Sequence, residues 1–264
     1  MTAEISGFER FPFTHDGRTR DVYRAGTGPA VIVLHEMPGL HPGVTEFGRR
    51  LLDQGYTVYM PSLFGRVNAE KTGGELLRSI ARACVSREFH LLADRTSPVV
   101  SWLRVLAAQA HDDCGGPGVG TVGMCFTGGF ALAMAVEPAV LAPVLSQPGV
   151  PVGLGERRKA ALGLDVTDVT TLKQRREAGL CAMGLRFTAD KASPGERFKT
   201  LERMFGKNFI GIEINSSPGN EHGIPSGAHS VLTTDLVDEP GHPTRKALDD
   251  VLAFLAERLK PAAT

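Results

Sequence analysis

Residues 119–136 read VGTVGMCFTGGFALAMAV, eighteen consecutive positions without a charge. A run of that length approaches the roughly 20 apolar residues that a membrane-spanning helix needs. Gly120, Gly123, Gly128 and Gly129 argue against a span, because they divide the run into a strand over 119–123, a turn around Cys125 and a helix over 126–136. Glu137-Pro138 closes it. A strand that turns tightly into a helix is half of a βαβ unit, and the apolar residues 140–145 supply the second strand.

Working toward the N-terminus, residues 30–36 (AVIVLHE) form a continuous apolar run, the pattern of a strand covered on both faces. Val44, Phe47, Leu51 and Leu52 then recur at helical spacing before Gly55, and residues 56–60 read as another strand. Segments 8–14 and 20–24 flank the turn signal His15-Asp16-Gly17 and predict a hairpin. Residues 75–92 and 98–110 are helical patterns, the first within an excursion over the sheet at about 66–92.

Toward the C-terminus, a polar helix is predicted over 165–178, strands over 180–188 and 208–214, and a last helix over 243–259. Between the last two strands, Ser193 reads as an N-cap, Pro194 as the first helical position and Glu196 as the partner that completes a capping box. Such alternation predicts one α/β domain over 1–264, a doubly wound, mostly parallel sheet with helices on both faces. Sites in such sheets lie beyond the carboxyl ends of the strands.

Lys+Arg 29 equals Asp+Glu 29, so the clustered excess of base that nucleic acid or an anionic membrane surface requires is not expected. Hydrophobic residues at 42% and charged residues at 22% suit a globular chain with a substantial core, which excludes disorder. Cys84, Cys114, Cys125 and Cys181 form no CxxC pair, and no Gly-rich phosphate cradle occurs, so neither a metal nor another cofactor is expected. The opening MTAEISGFERFPFTHDG has no basic flank followed by an apolar stretch. The expected compartment is the cytoplasm, with reduced thiols. Monomer and homodimer both stay open.

Cys125 stands where a strand ends and a helix begins. A nucleophile elbow needs that tight turn and small residues around it, and Gly123, Gly128 and Gly129 give the room. A helix N-terminus favours the thiolate, the reactive form. The plainer alternative is a buried cysteine in a glycine-packed turn. In the elbow order an acid and then a histidine follow, each after a later strand. Asp190 follows the strand over 180–188. Of the later histidines, His242 sits just ahead of the last helix, near its N-cap, while spacing leaves His222 and His229 level.

Four blocks, VIVLHEMPGL at 31–40, GYTVYMPSLFGR at 55–66, GMCFTGGFALAMA at 123–135 and GAHSVL at 227–232, make the chain resemble the dienelactone hydrolase family of α/β-hydrolases. The resemblance implies Cys125 as nucleophile, Asp190 as orienting acid and His229, rather than His222, as base. It further implies that Glu36 holds the resting thiol until substrate arrives, and that the amides of Met37 and Phe126 form an oxyanion hole. Arg87, in SREFHLL, stands near the family's second arginine. Thr233 occupies the place of the arginine that grips a substrate carboxylate, and Thr127 that of an elbow glycine, which predicts a turn one residue longer. The implied activity is hydrolysis of a small ester or lactone through a thioester. Alternatives are a cyclase or acyl transferase acting on a biosynthetic intermediate, and a ligand-binding protein that keeps the fold without turnover.

Overall fold

The computed structural model describes residues 4–68, 95–149 and 155–260. Its strands are β1 (Glu9–His15), β2 (Arg18–Ala25), β3 (Ala30–Leu34), β4 (Thr57–Pro61), β5 (Val119–Met124), β6 (Val140–Ser146), β7 (Ala182–Phe187) and β8 (Phe209–Ile214). They form one eight-stranded sheet in the order β1-β2-β4-β3-β5-β6-β7-β8. Asp16 and Gly17 both take positive φ, at 50° and 69°, as a two-residue type I′ hairpin requires, so β1 and β2 pair antiparallel. β2 runs antiparallel to β4, and the other neighbours are parallel. The chain leaves β3 for β4 on one side and returns to β5 on the other. That reversal is a topological switch point, and it sets the carboxyl ends of β3 and β5 side by side with Leu34 paired to Gly123.

Alternate strand residues feed two cores. Ala30, Ile32 and Leu34 face the layer of α2 (Val99–Cys114), α3 (Gly128–Met134), α5 (Val166–Glu177) and α6 (Gly195–Phe205), through Trp102, Leu106, Phe130, Leu172 and Leu201. Val31 and Val33 face α1 (Pro42–Asp53) and α7 (Pro243–Leu259), through Phe47, Leu51, Leu248, Val251 and Leu255. Every residue of β3 is buried, which is why its sequence is apolar without alternation.

The sheet agrees with the expected fold class. The excursion at 66–92, and with it the predicted helix over 75–92, lies almost wholly outside the described residues. Two local expectations are corrected. The helix expected over 126–136 begins as a 3-10 turn, Cys125–Thr127, and becomes α-helical only at Gly128. The capping box does not form: Pro194 is the N-cap of α6, with no side-chain bond to the helix. Arg186 Nε takes the carbonyl of Ser193 at 2.7 Å, and the Ser193 hydroxyl is buried with no hydrogen-bond partner. A short helix, α4 (Glu156–Ala160), has too few turns to leave a periodic signal in the sequence.

The close approach of β5 and α3 depends on Gly123. A Cβ there would collide with the Thr127 carbonyl oxygen and lie 2.9 Å from the Ala131 Cβ. Gly123→Ala is therefore expected to destabilise the fold by about 1–3 kcal/mol, the usual cost of overpacking a rigid core. The urea midpoint is the measurement, and an unchanged midpoint would show that the crossing has slack.

Candidate active site

Cys125 is the residue on which β5 turns. Met124 is still extended at φ −121°, Cys125 has φ +54°, and Thr127 is already in the right-handed region at φ −89°. A left-handed conformation is costly for a residue with a Cβ, and it persists only where neighbours enforce it. Here they do so through Thr127. Its hydroxyl accepts from the Met124 amide at 3.0 Å and donates toward the Leu34 carbonyl at 2.9 Å, which ties the elbow to the end of β3. Only Cys125 in this turn takes positive φ, and the 3-10 turn Cys125–Thr127 then leads into the helix at Gly128. On the far side the Gly149 amide donates to the Cys125 carbonyl at 2.9 Å.

Beyond β7, Asp190 is buried, with Oδ1 accepting the Ala192 amide at 2.9 Å and Oδ2 lying 2.7 Å from His229 Nδ1. Arg186 steadies this loop by donating to the carbonyls of Ser193 and Thr188 at 2.7 and 3.0 Å. Cys125 lies near enough for its charge to act on His229. Burial disfavours charge on the imidazole. The hydrogen bond to Asp190 and the electrostatic influence of Asp190 and Cys125 outweigh it and raise the group from 6.5 to about 10. Cys125, His229 and Asp190 are thus brought together from the ends of β5 and β7 and the loop after β8. His222 is exposed and packs edge-on against His242, 5.4 Å between ring centres, while His242 caps α7.

Glu36 follows β3 at 1% exposure, and four side chains converge on its carboxylate. Oε1 accepts from His41 Nε2 at 2.9 Å and Thr233 Oγ1 at 2.5 Å, and Oε2 from Ser230 Oγ at 2.7 Å and Gln147 Nε2 at 3.2 Å. Such donors offset the desolvation of a buried charge. Thr233 is therefore turned onto Glu36. His35 is neutral, since burial lowers it to about 4; Nε2 accepts from the Leu63 amide and Nδ1 donates to the Glu36 carbonyl, each at 3.0 Å. Met37 is half-buried just after β3, and Phe126 is the first residue beyond the thiol, its ring edge-on to Phe64 and Phe130. Arg87 lies outside the described residues.

The sequence reading did not single out Gln147, Ser230, His41 or Asp235. Gln147 had one signal: it is a polar residue near the carboxyl end of an apolar strand, as Glu36 is. Its φ of +35° and zero exposure mark a residue held in place by its bonds.

A sequence model described as the dienelactone hydrolase family matches residues 20–257. The chain belongs to the dienelactone hydrolase family. Membership makes it an α/β-hydrolase and an ester hydrolase. Among solved structures, a protein of Klebsiella pneumoniae subsp. pneumoniae described as a dienelactone hydrolase is 16% identical, with a TM-score of 0.61 over 95% of this chain and 98% of its own. A dienelactone hydrolase-like promiscuous phosphotriesterase from metagenomic libraries is 17% identical, with a TM-score of 0.61 over 96% and 98%. Esterase 2 of Thermogutta terrifontis is 15% identical, with a TM-score of 0.56 over 98% of each chain. At such identities the likeness is one of fold. No curated protein matches the chain. Among the described residues, no helix is long and apolar enough to cross a membrane.

The Asp190 carboxylate supports positive charge on His229, so removing its charge should lower the imidazole's titration. In Asp190→Asn the His229 midpoint is expected well below the value of about 10 reached with the carboxylate present. Nitrogen-15 NMR of the imidazole across the alkaline range reads this directly, and equal midpoints in both proteins would contradict it.

Proposed function

We propose that the protein hydrolyses small, neutral carboxylic esters or lactones with Cys125 as nucleophile, His229 as acid and base, and Asp190 as the group that orients it. The observation that carries this reading is the thiol on a left-handed elbow, close enough to act electrostatically on an imidazole whose Nδ1 is 2.7 Å from a buried carboxylate. The Cys125 thiolate attacks the carbonyl carbon, and charge develops on the carbonyl oxygen, where the amides of Met37 and Phe126 serve as donors. His229 gives its proton to the leaving alkoxide as the C–O bond breaks, leaving a thioester. Water then attacks the thioester, His229 takes its proton, and collapse of the second tetrahedral intermediate returns the acid and the thiol.

Substrate charge follows from Glu36. The Thr233 hydroxyl is occupied by that carboxylate at 2.5 Å, and Arg186 and Arg197 are committed to backbone carbonyls. At position 233 a substrate carboxylate would therefore meet a hydroxyl already turned onto Glu36, and would lack there the bidentate grip that arginine gives.

Cys125→Ala should fold and lose turnover of an activated ester by about a thousandfold or more, the scale of removing a triad nucleophile. Cys84→Ala, Cys114→Ala and Cys181→Ala should retain it. Steady-state kinetics on the four purified variants tests this, and wild-type rates in Cys125→Ala would overturn the assignment. For a matched pair of substrates, one neutral and one bearing a carboxylate, kcat/KM should favour the neutral member by about 10- to 100-fold, the worth of one missing charge-assisted contact. Preference for the anionic member would mean that a cation outside this network grips it.

A further inference from the structure

His229 belongs to neither a helix nor a strand, so its place over the thiol must be set by side chains. Three of them hold the segment 229–233 almost residue by residue. Asp235 Oδ2 accepts the amides of His229 and Ser230, at 2.9 and 2.8 Å. Gln147 Oε1 accepts the Val231 amide at 3.3 Å. Glu36 takes the hydroxyls of Ser230 and Thr233, at 2.7 and 2.5 Å. Glu36 is the natural fixed point among these, because it continues the fully buried strand β3 and is joined from two further directions. His41 Nδ1 accepts from the Gly43 amide at 3.1 Å, which leaves the proton on Nε2 to be donated to Glu36. Gln147 is pinned by its own amide, bonded to the Leu185 carbonyl at 2.6 Å, and donates its side-chain N–H to Glu36.

We propose that Glu36 is a positioning residue for the base: by holding Ser230 and Thr233 it keeps His229 in register with Cys125 in the free enzyme. The role differs from that of a carboxylate that restrains a resting thiol, and the two have opposite consequences. A restraining carboxylate, once removed, releases the thiol and speeds its modification. A positioning carboxylate, once removed, lets His229 drift, so the thiol loses its imidazolium partner and reacts more slowly. The proposal rests on Cys125 and His229 acting as nucleophile and base.

The test is the rate of iodoacetamide alkylation at Cys125 in the free enzyme at neutral pH, followed by peptide mass, together with kcat and KM on a neutral aryl ester. Ser230→Ala removes one of the bonds without touching Glu36, and Glu36→Gln removes its charge. Both are expected to slow alkylation and to lower kcat by about 10- to 100-fold with KM little changed, the scale of one lost hydrogen bond to a charged group. Faster alkylation in Glu36→Gln with wild-type behaviour in Ser230→Ala would overturn the proposal. Should Glu36→Gln fail to fold, Ser230→Ala decides alone, and a wild-type rate there rejects it. Full turnover in Cys125→Ala would overturn the nucleophile assignment and this proposal with it; loss of turnover there with an unaffected Ser230→Ala rejects only the role of Glu36.

Discussion

The left-handed backbone of Cys125 is the constraint on which the site depends. A strand can hand over to a helix in one residue only if that residue takes positive φ, and the strain is held by parts on both sides of it. Gly123 lets the helix come down onto the strand, and Thr127 bonds the turn to the end of the neighbouring strand. The thiol therefore projects above the carboxyl edge of the sheet, where β3 and β5 diverge in connection. Thr127 holds the turn by hydrogen bonds to the Met124 amide and the Leu34 carbonyl.

Two carboxylates flank this point with different electrostatic duties. Asp190 faces the imidazole directly, and its charge, with that of Cys125, overcomes burial to favour the imidazolium. Glu36 accepts from two hydroxyls, a side-chain amide and a histidine N–H. That arrangement joins the segment after β3, the start of α1, the end of β6 and the histidine loop.

Much of this was legible in sequence wherever the signal is local. The continuous apolar run at 30–34 announced a strand covered on both faces, and Pro243, at the first position of a helix capped by His242, fixed the bounds of the last helix. Cys125, Asp190 and His229 stand out in sequence because each follows a strand at its carboxyl end; spacing alone leaves His222 beside His229, since both lie on one loop, and the block resemblance separates them. What sequence missed is non-local. Ser193 is not the cap because the helix begins at Gly195 with Pro194 as its N-cap, and the Ser193 carbonyl is held by Arg186, seven residues away. The bonds from Ser230 and Thr233 to Glu36 span 194 and 197 residues, and no periodicity encodes such pairs.

The central claim is covalent chemistry at Cys125, and its most direct measurement is the mass of the enzyme caught during turnover. Acid quenching within milliseconds of mixing with a slowly deacylating aryl ester, followed by peptide mapping, should find the acyl group on the peptide containing Cys125, as a thioester labile to hydroxylamine. An acyl group on any other side chain would contradict the account.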